Sequence, residues 1–229
     1  MRYSGWELNF FDNSKNFRDY QFFLIKKYLK NNLLEVGPGN GIMVDKYISK
    51  YFSNISLSEI DKNLNKTLVK KFKNKKNVKI YKKKIGEFKN KFNSIIYSDV
   101  IEHIKDDEKE IKIALKKLNK NGYLIIMVPA FQYLYSKYDK SIGHFRRYEK
   151  KFFINFAKKN KIRCVKSIYF DSIGYFFLIL SKLINTKNKK NVGLGAFVWN
   201  LLVPISRILD ILTGYSFGKS VLCIYRKWE

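Results

Sequence analysis

Three groups of residues in this chain have the types and spacing to do chemistry. The first is Leu33-Leu34-Glu35-Val36-Gly37-Pro38-Gly39-Asn40-Gly41, an apolar run that breaks into alternating glycines. A glycine-rich turn between a strand and a helix lets backbone approach a ligand closely. A dinucleotide fingerprint, GxGxxG, needs its third glycine where Ile42 stands, so the spacing here is GxGxG. Glu35 lies two residues before the first glycine. A pyrophosphate disfavours a carboxylate so close, whereas a zwitterionic sulfonium ligand can turn its ammonium toward it. The second group is acidic. Glu59 falls about twenty residues beyond the glycines, where a carboxylate can accept both hydroxyls of a ribose. Each such bond to a charged acceptor is worth roughly 1.5–3 kcal/mol. Asp61 competes for the role, but the alternation Ile55, Leu57, Glu59 carries Glu59 to a strand tip. The third group holds the two histidines, His103 and His144, with Arg146, Arg147 and Tyr148 following closely. Histidine is the usual proton acceptor for a hydroxyl nucleophile. Paired arginines fork onto carboxylate or phosphate, or else form a solvated pair on a helix N-terminal turn.

Positioning these groups requires alternating strands and helices. Short apolar runs predict strands at Leu33–Val36, Ile55–Glu59, Val78–Tyr81, Ser94–Tyr97, Tyr123–Val128, Ile162–Ile168 and Val221–Tyr225. Helical spacing predicts helices over Asp19–Lys30, Ile42–Tyr51, Leu64–Phe72, Asp106–Asn119 and Lys151–Asn160. In the fourth of these, Ile111, Ala114, Leu115 and Leu118 share a face, and Asn121-Gly122 reads as its stop. Strand and helix in alternation imply βαβ units and a mostly parallel sheet with helices on both faces. The chain reads as one domain, residues 1–229, with an N-terminal arm over 1–20 and a polar, aromatic insertion over 130–150. An apolar region over 171–214 completes it. His103 follows the fourth strand, and His144 lies in the insertion that follows the fifth. Both therefore belong at the carboxyl edge, where open α/β sheets bind ligands.

With those residues in view, the chain resembles the class I methyltransferases that use S-adenosylmethionine. Glu35 to Gly41 matches the first motif of that family. Phe92-Asn93-Ser94-Ile95-Ile96-Tyr97-Ser98-Asp99-Val100-Ile101-Glu102-His103-Ile104 is similar to its FDxIxxxDVxEHI segment. Asn119-Lys120-Asn121-Gly122-Tyr123-Leu124 is similar to its LxPGG turn. The chain departs at Asn93, where the family usually has Asp, and at Lys84, where an acid commonly meets the adenine. The resemblance implies a Rossmann-like, seven-stranded fold and S-adenosylmethionine as cofactor. It implies cofactor contacts at Glu35, Gly37, Pro38, Gly39, Gly41, Glu59, Ile60, Ser98, Asp99 and Val100, with adenine contacts from backbone around Ile85. A narrower similarity joins Tyr135, Asp139 and Gly143-His144-Phe145-Arg146-Arg147-Tyr148 to a bacterial subgroup marked by LGHYRRY. The closing Phe217-Gly218-Lys219-Ser220 is similar to its PFGxS ending. Members of that subgroup are often fused or adjacent to glycosyltransferases. On this resemblance the acceptor is a small or lipid-linked molecule methylated on a hydroxyl. His144 is then the first choice as base and His103 the second, while Arg146, Arg147 and Tyr148 contact the acceptor. A glycosyltransferase is an expected partner, and a non-catalytic cofactor-binding partner of one remains an alternative.

Composition bounds these readings. The formal charge of +27 points to a polyanionic partner or to a coding bias toward Lys, Asn and Ile. A nucleic-acid methyltransferase fits the charge. However, Ser98-Asp99-Val100-Ile101 is not the Asn/Asp-Pro-Pro-aromatic segment of base amino methylation. Cys164 and Cys223 have no ligand-like spacing and read as buried free thiols, so no metal site is expected and a reducing cytoplasm fits. The N-terminus shows no apolar signal region. Neither Ile173–Leu183 nor Val192–Leu212 is an uninterrupted span of about 20 apolar residues. Asp171 and Lys182 bracket the first, and Asn200, Pro204, Arg207 and Asp210 interrupt the second. They read as helices lying in an anionic membrane surface, or as sheet-capping core.

Overall fold

The computed structural model describes residue 8, residues 13–184 and residues 189–228. Seven apolar runs pair into one sheet: β1 (Leu33–Val36), β2 (Ile55–Ser58), β3 (Val78–Tyr81), β4 (Phe92–Ser98), β5 (Leu118–Pro129), β6 (Arg163–Phe170) and β7 (Ser220–Arg226). Their spatial order is β3-β2-β1-β4-β5-β7-β6. Pairing is parallel from β3 to β5, and β7 runs antiparallel to both β5 and β6. This is the Rossmann-like, seven-stranded architecture that the resemblance implies, with an antiparallel pair closing one edge.

The central strands are apolar on both faces because helices cover both. Along β5, Ile125 and Met127 join one core layer while Leu124, Ile126 and Val128 join the other. That two-residue alternation is the pleat of a strand buried on both sides. The first layer is closed by α1 (Lys15–Ile25), α2 (Ile42–Lys46), α3 (Lys62–Lys71) and the long C-terminal helix α8 (Lys189–Leu212). The second is closed by α4 (Asp107–Lys116) and α6 (Lys150–Lys159). The short α5 (Lys137–Ser141) lies within segment 130–150, and α7 (Ser172–Ile184) follows β6.

Three boundaries differ from the sequence reading. Within the arm expected over 1–20, residues 1–7 and 9–12 lie outside the described residues. The helix begins at Lys15, because Phe17, Tyr20 and Leu24 already share a buried face. The helix expected over Ile42–Tyr51 breaks after Lys46 into a 3-10 turn at Ile48–Lys50. The helix expected over Asp106–Asn119 ends at Lys116, and Leu118 already belongs to β5. Asn121-Gly122 is therefore not its stop. Phe92 pairs with Leu118 and Ser94 with Tyr123, so Asn119–Gly122 bulges out of register.

Polar residues that interrupt the C-terminal apolar region pin it to the body. Pro204 inside α8 has no N–H for the Asn200 carbonyl, and Asn16 Nδ2 donates to that carbonyl at 2.9 Å instead. Asn200 Oδ1 in return accepts from the Phe17 amide at 3.2 Å. Asp210 accepts from the Asp171 and Ser172 amides at 2.6 and 2.9 Å, and from the Tyr20 hydroxyl at 2.7 Å. Asp171 accepts from Trp199 Nε1 at 2.8 Å and Ser206 Oγ at 3.0 Å.

Candidate functional site

The chain builds outward from β1 to β3 and then returns to place β4 beside β1. Ligands of open α/β sheets bind beyond the carboxyl ends at such a reversal. The segments after β1, β2 and β4 meet there. The glycine loop is held open by geometry: Gly37, Gly39 and Gly41 all have positive φ. At Gly37 a Cβ would stand 2.7 Å from Val100 Cγ2, so only glycine lets the β1 and β4 segments approach. The Gly37 amide donates to the Ser58 carbonyl at 2.9 Å, which ties in β2. Asp99 itself has φ +56°, a conformation that Asp tolerates better than most residues.

Glu35 is buried on β1, and its Oε2 has no hydrogen-bond partner among the described residues. Burial pushes its carboxyl up to about 7, partly opposed by the Arg18 guanidinium of α1. Glu59 is also buried just past β2. Burial raises it, and backbone hydrogen bonds from Asp61, Gly39 and Ile60 counter this only in part. The competing acid, Asp61, accepts from the Asn63 and Leu64 amides at 2.8 and 3.0 Å. It serves as the N-cap of α3. Ile60 is exposed, whereas Ile85 is buried in the core. Ser98 Oγ is buried without a partner among the described residues.

The second half of the site is built where segment 130–150 folds back on β4. The Phe145 amide donates to the Glu102 carbonyl at 2.8 Å. The rings of His103 and His144 meet edge-on with centroids 4.6 Å apart. Asp139, fully buried in α5, is 2.9 Å from His144 Nδ1 and takes the Arg147 fork at 2.9 and 3.1 Å. Burial would raise Asp139, but the bonds from His144 and Arg147 outweigh it and hold the carboxyl at about 2. An ionised Asp139 accepts, so His144 Nδ1 carries a proton and Nε2 is the nitrogen turned toward Glu102. That Nε2 lies 3.8 Å from Glu102 Oε1. Glu102 is fully buried, and neither carboxylate oxygen has a hydrogen-bond partner among the described residues. Burial and the neighbouring Asp99 push it well above the usual carboxylate range. His103 is pushed down to about 4 by burial and by His144.

The three acceptor-side residues take different positions. Arg147 is spent on Asp139. Tyr148 is core, its hydroxyl donating to Asp107 Oδ2 at 2.8 Å. Arg146 bonds Asp107 Oδ2 and the Lys105 carbonyl, each at 3.0 Å, yet leaves 37% of its side chain exposed.

A family model described as a methyltransferase domain matches residues 10–159. The chain belongs to the class I, S-adenosylmethionine-dependent methyltransferases. No curated protein matches this methyltransferase in sequence. Its fold is similar to that of N-methyltransferase NodS from Bradyrhizobium japonicum WM9, at 13% identity and TM-score 0.59, covering 95% of this chain and 99% of that one. An S-adenosylmethionine-dependent methyltransferase from Clostridium acetobutylicum ATCC 824 is similar at 12% identity and TM-score 0.61, covering 95% and 93%. Phosphoethanolamine N-methyltransferase 2 of Haemonchus contortus, solved with S-adenosyl-L-methionine, is similar at 13% identity and TM-score 0.65, covering 97% of this chain and 57% of that one.

Sequence reasoning assigned no role to Glu102, Asp139, Arg18 or Lys219 of the methyltransferase. Glu102 and Asp139 stand inside quoted motifs, but their burial and pairing are tertiary facts. Lys219 Nζ is 3.3 Å from Asp171 Oδ2 and lies over the Trp199 ring at 3.4 Å. Burial lowers its ammonium to about 8 against the pull of Asp171 and Asp99. Its only signal was the Phe217–Ser220 motif.

Proposed function

We propose that this methyltransferase methylates a hydroxyl of a small or lipid-linked acceptor, a glycan-bearing lipid being the best fit, at an anionic membrane surface. The observation that carries this reading is the Asp139–His144–Glu102 array beside the crevice at the β1–β4 reversal. The cofactor fits the residues present. Glu35 Oε2 and Ser98 Oγ are buried polar atoms with no partner among the described residues, and the glycine loop has no room for a side chain at Gly37 where it meets Val100. Glu35 with Gly37, Pro38, Gly39 and Gly41 would hold the amino-acid end, and Glu59 with Ile60 the ribose. Ser98, Asp99, Val100 and backbone at Ile85 would flank the remainder. When bound, S-adenosylmethionine supplies an electrophilic sulfonium methyl.

The chain's own residues then position the acceptor and exclude water. The His144 cluster, with His103 and Glu102, draws the proton from the acceptor hydroxyl, and Asp139 holds His144 in the required tautomer. Arg146 takes an anionic group of the acceptor, while Arg147 and Tyr148 hold the segment that presents it. Rings of Phe131, Tyr133, Tyr169, Tyr175, Phe176 and Phe217 run in contact from segment 130–150 to α7. They offer an apolar path from the site to the C-terminal helices.

The membrane part of the reading rests on α8. Trp199, Val203, Ser206 and Asp210 form its buried stripe. Leu194, Phe197, Leu201, Ile205, Ile208 and Ile211 form the opposite one, each 49–68% exposed. Gly193–Leu212 is long and apolar enough to cross a membrane, but its polar pins to the body favour an in-plane position. A helix with one stripe docked and the other apolar and bare suits a bilayer surface. The charge of +27 favours an anionic leaflet. Incubation with methyl-labelled S-adenosylmethionine and a lipid extract tests the acceptor. A labelled lipid that disappears with His144→Ala supports the reading, and label entering RNA instead would overturn it.

A further inference from the structure

We propose that Glu102, His103 and His144 bind a divalent transition-metal ion, which orients and acidifies the acceptor oxygen. The proposal deepens, and rests on, the methyl-transfer reading of this site. One ligand atom from each of the three residues lies within 4.8 Å of the others. Adjacent positions 102 and 103 after β4, joined by position 144 from another segment, have no spacing that marks a metal site in sequence. Folding alone assembles it.

Two features of the assembly call for a cation. The first is the Glu102 carboxylate, fully buried with both oxygens lacking hydrogen-bond partners among the described residues. A buried carboxyl with no partner ionises only when it is paired or coordinates a metal. The second is His144. Its Nδ1 is 2.9 Å from Asp139 Oδ1, so Nε2 faces Glu102 Oε1 across 3.8 Å. That separation is too long for a direct hydrogen bond, and an ion between the two atoms would join them. The carboxylate–histidine pair is also the usual outer support of a metal-bound imidazole, fixing its tautomer and its direction. His103 is anchored in the same way, by a hydrogen bond with the Gly143 backbone.

The donor set identifies the class of ion. Two imidazoles and one carboxylate suit zinc, manganese or iron(II) better than magnesium or calcium, which prefer oxygen donors alone. Three protein ligands leave coordination positions open, the pattern of catalytic rather than structural sites. An acceptor oxygen in an open position would be acidified by the ion as a Lewis acid. Its proton would pass to solvent, and His144 would serve as a ligand in place of the base role given to it above. Arg146, at the edge of the same segment, would remain available for the anionic group of the acceptor.

The test uses untagged protein stripped with EDTA and titrated with Zn²⁺ by calorimetry or with Mn²⁺ by electron paramagnetic resonance. Wild type should take up one equivalent of either ion, with Mg²⁺ a poor competitor. Glu102→Gln and His144→Ala should each weaken binding at least about 100-fold, and Asp139→Asn about 10–100-fold. Glu102→Gln keeps shape and removes an unpaired buried charge, so the ion-free variant should melt at or above wild type. That control separates lost binding from lost folding. Absence of saturable uptake by wild type, or Glu102→Gln binding the ion as wild type does, overturns the proposal. Turnover that survives EDTA yet is lost in His144→Ala also overturns the ion, while leaving His144 as the base. Turnover intact in His144→Ala overturns the ion and the site reading together.

Discussion

Glu35 is placed so that stability and binding respond to it in opposite directions. Its carboxyl lies at about 7 in the folded protein against an ordinary 4.5, chiefly because β1 is buried on both faces. A group whose folded value is raised binds more protons folded than unfolded, so stability falls as pH rises from about 4.5 to 7. The interval is worth about 3 kcal/mol once the group is ionised. Glu35→Gln keeps the shape without the charge. Without cofactor at pH 8 the variant should be more stable by about 2–3 kcal/mol, a rise of roughly 4–12 °C in Tm for a chain of this length. The advantage should shrink toward zero by pH 5. Cofactor binding should move the other way. A carboxylate meeting an ammonium contributes roughly 1.5–3 kcal/mol, so the variant should bind S-adenosylhomocysteine about 10–100-fold more weakly. Wild-type affinity should also fall about fivefold from pH 7 to pH 6, since the carboxyl must ionise to bind, while the variant stays flat. Denaturation and calorimetry across pH 5–8 measure both quantities. A variant that is destabilised at pH 8 and binds cofactor as tightly as wild type would refute the argument.

Within the glycine loop, Gly39→Arg should abolish cofactor binding by calorimetry. Gly41→Val should instead destabilise by about 1–3 kcal/mol, because its Cβ would stand 2.7 Å from Leu68 Cδ2 and 2.8 Å from Phe72 at a positive φ. On the acceptor side, His144→Ala should lower turnover about 10²–10⁴-fold with unchanged cofactor affinity. Arg146→Ala should raise the acceptor KM with little effect on melting, which steady-state kinetics and calorimetry report separately. Flotation with liposomes tests the exposed stripe of α8. Wild type should rise with anionic vesicles and not with neutral ones, and Leu201→Glu with Ile208→Glu should keep the protein at the bottom without changing its circular dichroism.

The legible part of the fold was the part set by local periodicity. Each of the seven strands announces itself by a short apolar run, and the carboxyl edge follows from the glycine loop and from Glu59. The place of Glu59 at the strand tip was also legible from alternation, whereas the use of Asp61 to cap α3 was not read from the sequence. What stayed hidden was long-range. Asp171 read as the edge of one apolar stretch, and Asn200 and Asp210 as flaws in the other. They are instead the polar pins of the α7–α8 pair, meeting partners such as Asn16 and Tyr20 some 180 residues away. Arg146, Arg147 and Tyr148 likewise looked equivalent in sequence. Only the packing separates a buried fork onto Asp139 from a partly exposed guanidinium.

Asp139 explains why those adjacent residues diverge. One fully buried carboxylate has about four lone-pair sites, and here Arg147, His144 and the amide and hydroxyl of Ser136 share them. The Arg147 charge makes burial of the carboxylate affordable and also closes segment 130–150 on itself, through α5 to the Ala130 carbonyl. With that charge in place, Asp139 stays ionised and can fix the orientation of the His144 ring. Orientation of the imidazole is thus a by-product of the interaction that folds the segment over β4. Losing Arg147 should therefore damage both, whereas losing His144 should leave the Asp139–Arg147 fork and the fold intact. A site arranged in this way tolerates change at the reactive imidazole more readily than at its support.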